Sequence, residues 1–337
     1  MRVTKPGVAI ATRRGYLVPR RDAPAPDLTA AAKAGLSPEL APLLASALPA
    51  SGLPIRVQAI PFKGAGLAGP AGPAGAVGTA GPAGPAGPAT TSVHLVVEID
   101  GRDLTFESKD SRYTERLDLA MVTIDANGHA ANGTQAALAL KLTAEELARV
   151  KTTGLRWQSA LDLTPGHYQL RVAARALGSA RRGLAIAELD VPDLATPDVG
   201  MSGIALTSLP SVLAINSGRK PPFARLTGPP TAVREFVTGD RITAVAQVYA
   251  AVAPDDGLRV TARVEAAPDA DRVKPLEATQ RLALAAATAT AGVREEVAFT
   301  FGTDSLPPGQ YILTIRAHRS DGPTLAERRV VYTIVKK

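Results

Sequence analysis

The 337-residue chain has no cysteine, which excludes a disulfide framework, a thiolate zinc site and a cysteine nucleophile together. Aromatics are scarce, with six Tyr, six Phe and one Trp, so few rings remain for an exposed binding strip once strand faces are filled. Long apolar runs are missing as well. The longest uncharged stretches are residues 64–93, rich in Gly, Pro and Ala, and residues 199–218, interrupted by Ser, Thr, Asn and Pro. Neither is apolar enough to cross a bilayer. No secretory signal is visible, because the stretch Val8 to Ala11 stops at Thr12, Arg13 and Arg14, short of the core of about seven residues that a signal needs. Acids are absent from the first 21 residues, which hold Arg2, Lys5, Arg13, Arg14, Arg20 and Arg21. The net charge of +7 therefore sits almost wholly at the start, leaving 32 basic against 31 acidic side chains beyond it. That placement argues against a nucleic-acid partner, which requires a basic face within the folded body.

What is present is a succession of short alternating segments. The length suits two domains. Residues 21–50 read as a helical linker, with Ser37-Pro38-Glu39 as a helix start running to about Leu48. Ile55, Val57 and Ala59 alternate with Arg56 and Gln58 in a strand that Pro61 is expected to stop. Val93, Leu95, Val97 and Ile99 alternate with His94, Val96 and Glu98, and Asp100-Gly101 reads as a hairpin turn before Leu104-Thr105-Phe106. A strand over Leu117 to Ile124 ends at the turn Asp125-Ala126-Asn127-Gly128, and Thr143-Ala144-Glu145-Glu146 forms a capping box opening a short helix. Strands follow through Leu155, Trp157, Leu161 and Leu163, then Tyr168, Leu170 and Val172, then Leu184, Ile186 and Leu189.

Beyond Pro192 and Pro197 come Ile204 and Leu206, a Pro-rich loop from Pro210 to Pro230, and strands near 242–249, 258–264, 279–287, 293–301, 310–317 and 327–335. Leu163-Thr164-Pro165-Gly166-His167-Tyr168 recurs as Leu306-Pro307-Pro308-Gly309-Gln310-Tyr311, at the same distance from the last strand of each half. In a sandwich, such a tyrosine turns a corner by bonding back to the chain just before it. The expected fold is all-β: two tandem antiparallel β-sandwiches of fibronectin III-like or immunoglobulin-like type, over residues 51–193 and 199–337, with residues 194–198 as linker. Glycine at every third position from Gly66 to Gly87 gives a collagen-like insert over 64–90. An extended monomeric loop is expected there, against a trimerising triple helix.

The motifs with chemical associations reduce to structural readings. Gly64-Ala65-Gly66-Leu67-Ala68-Gly69 fits a dinucleotide fingerprint, but Pro70, Gly72 and Pro73 forbid the helix that must follow. No cofactor is therefore expected. His94, His129, His167 and His318 are scattered without ligand spacing, so no metal site is expected. Asp125 to Gly128 resembles the opening of a calcium loop yet lacks its closing glutamate. The pairs Asp255-Asp256 and Glu295-Glu296 point to opposite faces of an extended chain and read as solvated. Gly200-Met201-Ser202 has Ile204 where a nucleophile elbow needs glycine. These readings predict no enzyme. Trp157, in phase with Leu155, Leu161 and Leu163, reads as core; exposure of Trp157 or Tyr249 beside polar groups would instead favour a carbohydrate-binding module.

The opening Val3-Thr4-Lys5-Pro6-Gly7-Val8-Ala9-Ile10-Ala11-Thr12-Arg13-Arg14-Gly15-Tyr16 resembles the closing strands of a von Willebrand factor type A domain in bacterial VWFA-related proteins. Ser51-Gly52-Leu53-Pro54-Ile55-Arg56-Val57, Ile99-Asp100-Gly101-Arg102, Lys151-Thr152-Thr153-Gly154-Leu155-Arg156-Trp157, Met201-Ser202-Gly203 and Phe236-Val237-Thr238-Gly239-Asp240 resemble that family's β-rich C-terminal region in order. The family's Asp-x-Ser-x-Ser adhesion site is absent here, so no metal-site residue carries over. The resemblance implies that residues 1–20 are remnant strands of a preceding A-type domain. It also implies an extracellular or periplasmic location and a non-catalytic structural or protein-interaction role. The expected partner is an envelope protein or the missing A-type domain, met by a monomer with no membrane span.

Overall fold

Alternation of apolar and polar residues makes most of this chain into strands, and the computed structural model assembles them into four sheets. It describes residues 26–29, 36–64, 90–195, 198–208, 213–216, 222–250, 258–267, 276–282, 293–318 and 322–336. The remnant strands expected within 1–20, nearly all of the glycine-repeat insert and Asp255-Asp256 lie outside the described residues.

The first sheet pair is built from β1 (Ile55–Phe62), β2 (Thr91–Ile99), β3 (Glu107–Lys109), β4 (Arg112–Ile124), β5 (Ala130–Leu142), β6 (Leu155–Leu163), β7 (Gly166–Ala176) and β8 (Arg182–Val191). Sheet I has the order β1-β2-β6-β11, where β11 (Leu213–Asn216) arrives from the second half of the chain and lies parallel to β6. Sheet II has the order β3-β4-β7-β8, with β5 on the remaining edge of β4. Between I and II, Val93, Leu95, Val97, Leu117, Leu119, Trp157, Leu170 and Val172 share one buried cluster.

The second pair repeats the arrangement. Sheet III has the order β10-β13-β16, formed by β10 (Ala205–Ser208), β13 (Arg241–Ala250) and β16 (Val293–Gly302), with β9 (Val199–Met201) also on β13. Sheet IV has the order β12-β18-β17-β14-β15, from β12 (Glu235–Val237), β14 (Leu258–Ala266), β15 (Leu276–Leu282), β17 (Gly309–His318) and β18 (Thr324–Val335). Its core with III contains Leu206, Phe236, Ile242, Val248, Val260, Leu313 and Tyr332. The two corner tyrosines sit alike, each third in its strand. Tyr168 Oη donates to Thr164 O at 3.0 Å, and Tyr311 Oη to Pro307 O at 2.8 Å.

Sheets I and III meet back to back. Ile60 and Val96 from I contact Ala205 and Val245 from III, with Phe223 and Ala232 of the connecting segment between them. The far face of II is covered by the chain around α1 (Ala41–Ala45), whose Leu40 and Leu44 pack on Ala120, Val122, Ala173 and Leu184. Arg171 fixes this helix by donating from Nη1 to the carbonyls of Leu44 and Ser46, both at 2.7 Å.

Several local expectations change. The linker helix does not start at Ser37: residues 38–40 form a turn, and regular helix begins only at Ala41, followed by Pro42 in the first turn. Ser37 brackets this turn, its carbonyl accepting from the backbone of Leu40 and Ala41 and its Oγ from Glu39 N at 3.3 Å. Pro61 does not stop β1, because β1 is an edge strand in which a missing N–H breaks no ladder bond. Asp100-Gly101 makes no hairpin. Asp100 caps a 3-10 turn (Gly101–Asp103), and β2 pairs with β1 and β6. The Pro-rich loop contains β11. The turn at Asp125 holds, with Oδ1 accepting from Asn127 N and His129 N at 2.9 Å each and Gly128 at φ +85°. The capping box also forms, opening α2 (Ala144–Thr153) with both reciprocal bonds between Thr143 and Glu146.

Candidate functional site

Two places concentrate polar chemistry, and the first is the seam between sheets I and III. In β2, the odd residues face the core, so Ser92, His94, Val96 and Glu98 face the seam and are buried. Glu98 Oε1 accepts from Arg156 Nε at 2.7 Å, Thr231 Oγ1 at 2.7 Å and Ala232 N at 3.2 Å. Arg156 Nη1 donates to Pro229 O at 2.7 Å. Arg234 follows, its Nη1 donating to Thr231 O at 2.9 Å and Val233 O at 2.8 Å. Its Nη2 is enclosed without a hydrogen-bond partner, although the residue as a whole is only half-buried. Burial, opposed by the attraction of Glu98, lowers its pKa to about 10, so the guanidinium stays charged at neutrality.

Residues 229–234 thus form a strap. It bonds to sheet I through Glu98 and Arg156, to β10 through Thr231 N on Leu206 O, and to β18 through Thr333 N on Arg234 O. Further along, Gly203 N donates to Pro61 O at 2.7 Å. A Cβ at Gly203 would stand 3.0 Å from Pro61 and 3.1 Å from Ile60, so glycine permits this approach. Tyr249 Oη accepts from Lys63 N and donates to Gln247 Oε1, both at 2.8 Å. Its burial pushes the phenol up to about 12, which keeps it a neutral donor.

His94, in the same seam, contacts Gln158 Oε1 through Nε2 at 3.0 Å, while its Nδ1 is buried without a partner. Burial holds its pKa below the usual histidine value, against the raising effect of Gln158. A depressed folded value means that protons are taken up on unfolding. Stability is then full above the unfolded pKa of about 6.5 and is lost as pH falls from there through the folded value. In urea titrations from pH 8 to pH 5, the wild-type chain should lose stability along a slope that His94→Asn reduces by up to about 1.4 kcal/mol per pH unit. An unchanged slope would remove His94 as its source.

The second place is a cleft of about 390 Å³ at one end of the first sheet pair, lined by Arg102, Asp103, Leu104, Thr105, Phe106, Tyr113, Leu147, Lys151 and Arg181. Lys151, from α2, donates through Nζ to the carbonyls of Arg102 and Leu104 and lies 5.6 Å from the Phe106 ring centroid. Arg181 pairs with Asp103 at 2.9 Å, and Arg102 with Asp100 at 2.6 Å.

The structure scatters the residues singled out in the sequence. Trp157 and Tyr249 are both buried, which removes the two rings named for sugar stacking. His167 pairs with Asp190 opposite it on β8, both exposed, His129 pairs with Asp125 at the exposed turn, and His318 ends β17. Ser202 is buried, donating to Gly203 O and accepting from Gln247 N. Glu296 is not simply solvated. Its carboxylate accepts from the backbone N–H groups of Ala224 and Arg225, fixing the loop ahead of the strap. Among the described residues, no three His, Cys, Asp or Glu side chains converge as a metal site would require, and no helix is long and apolar enough to cross a membrane.

No family model matches the chain, and no curated protein matches it. Solved structures that superpose in part include a calcium-binding mutant of Bacteroides uniformis β-glucuronidase 2, at 8% identity and TM-score 0.25 over 72% of this chain and 26% of that one. Another is the native conformation of E. coli α-2-macroglobulin, at 14% identity and TM-score 0.21 over 72% of this chain and 13% of that one. The chain thus spans about a quarter or less of these proteins' lengths, and likenesses at such TM-scores carry no weight for its function.

Proposed function

We propose that the chain is a non-catalytic structural and protein-interaction module of an exported protein resembling the VWFA-related family, acting outside the cytoplasm on an envelope protein or an A-type domain. The observation supporting this reading is the strap of residues 229–234, which ties sheets I, III and IV through Glu98, Arg156 and backbone bonds. Such a joint makes the two sandwiches, read as fibronectin III-like or immunoglobulin-like units, a rigid spacer holding its ends at fixed separation.

The test is small-angle scattering of the whole chain combined with chemical unfolding. A single cooperative transition and a scattering profile fitted by one rigid arrangement are expected. Two separate transitions, or a profile requiring many inter-sandwich orientations, would overturn the rigid-spacer reading. A second reading, a carbohydrate-binding module, is favoured only by the half-buried Phe106 and Tyr113 beside cations in the cleft. Retention of a glycan, but of no protein, by the immobilised chain would select it.

A further inference from the structure

We infer that the cleft between the 3-10 turn, the β3–β4 hairpin and α2 is a docking site for an acidic peptide segment of a partner protein, carrying one apolar anchor residue. This rests on the interaction-module reading and specifies the contact point that reading lacks.

The lining has an apolar part and a charged part. Leu104 is buried, and Phe106, Tyr113 and Leu147 are half-buried, so a floor of carbon is left partly open to water. About 390 Å³ lies at the lower end of ligand-site volumes, a size suited to one large side chain with its neighbours lying outside. Three cations, Arg102, Lys151 and Arg181, surround this floor against a single lining carboxylate, Asp103. Asp100 holds Arg102 from outside the lining, and a cation still remains in excess.

Hydrogen-bonding capacity decides between ligand classes. The carbonyls of Arg102 and Leu104 accept from Lys151 Nζ, and Oδ1 of Asp103 is paired with Arg181 Nη1. The hydroxyls of Thr105 and Tyr113 are the neutral acceptors left on the lining. A neutral sugar brings hydroxyl donors that need acceptors, whereas a carboxylate brings only acceptors and meets guanidinium donors. With three cations against one lining carboxylate, the charge of the site is matched to acid around an apolar residue. Lys151, tied at two carbonyls and set against the Phe106 ring, is ordered before any ligand arrives, which lowers the entropic cost of binding.

The experiment is fluorescence polarisation with the full chain and four labelled probes: a heptapeptide with Phe flanked by Asp and Glu, the same peptide flanked by Lys, the acidic peptide with Ser in place of Phe, and a tetragalacturonate. The acidic Phe peptide is expected to bind at least tenfold more tightly than the other three and to weaken as salt rises from about 50 to 500 mM. Arg102→Glu should reduce that binding at least tenfold without altering the fold, since its side chain is 77% exposed. Phe106→Ser should reduce it similarly, with circular dichroism confirming a folded chain. Binding of none of the probes, equal binding of all the peptides, or preference for tetragalacturonate would overturn the assignment. A single unfolding transition accompanied by no peptide binding would sink this site while leaving the rigid-spacer reading intact.

Discussion

Glu98→Ala should destabilise the protein by about 3–5 kcal/mol, measured as the midpoint shift in urea unfolding at constant m-value. The carboxylate is buried, and one of its oxygens receives three donors, from Arg156, Thr231 and Ala232. Removing it leaves the Arg156 guanidinium in the seam without its counter-charge and frees two further buried donors. The loss expected is that of breaking a buried pair, which is larger than the net worth of the pair itself. Glu98→Gln retains an acceptor oxygen but not the charge, and should cost less than the alanine variant. If Glu98→Ala cost under about 1 kcal/mol, as exposed pairs do, water would have to reach this cluster, and the strap could not be the joint between the sandwiches.

Trp157→Ala should cost about 3–5 kcal/mol by emptying the largest side-chain volume in the first core. Trp157 packs with Leu95, Leu119, Leu170 and Val172 between sheets I and II. On the side of β6 away from β2 lies β11, where Ile215 stands opposite Trp157 in parallel register and packs on the same cluster. A residue from the second half of the chain thus completes the core of the first. The variant should shift the whole unfolding curve without splitting it. A separated early transition, followed by wild-type melting of the second pair, would mean that the two cores are energetically independent.

These two residues also show how legibility divided. Trp157 was readable as core because its phase with Leu155, Leu161 and Leu163 places it on one side of a strand whatever lies opposite. Glu98 was not. A polar residue alternating with valines has the same pattern whether its face meets water or another sheet, and β2 is covered on both faces. The cross-strand register that brings Arg156 beside Glu98 and the strap that supplies Thr231 join positions 58 and 133 residues apart, and no local window contains them. The cleft was hidden for the same reason: Lys151 reaches carbonyls 49 and 47 residues away. β5, a long edge strand rich in alanine, gave weak β-propensity and was missed.

By itself the sequence determined the all-β class, the periods of most strands, the turn at Asp125, the capping box at Thr143 and the matched tyrosine corners. Each is a local matter of backbone preference and alternation, fixed within a few residues by sterics and hydrogen bonding. Only the tertiary structure decided that Pro61 lies within an edge strand, that β11 crosses to the first sheet pair, and that the back faces of sheets I and III close on a buried charge cluster. Those outcomes depend on which surfaces meet: burying apolar area in bulk favours contact between the back faces, and the buried carboxylate then has to find its donors within the contact.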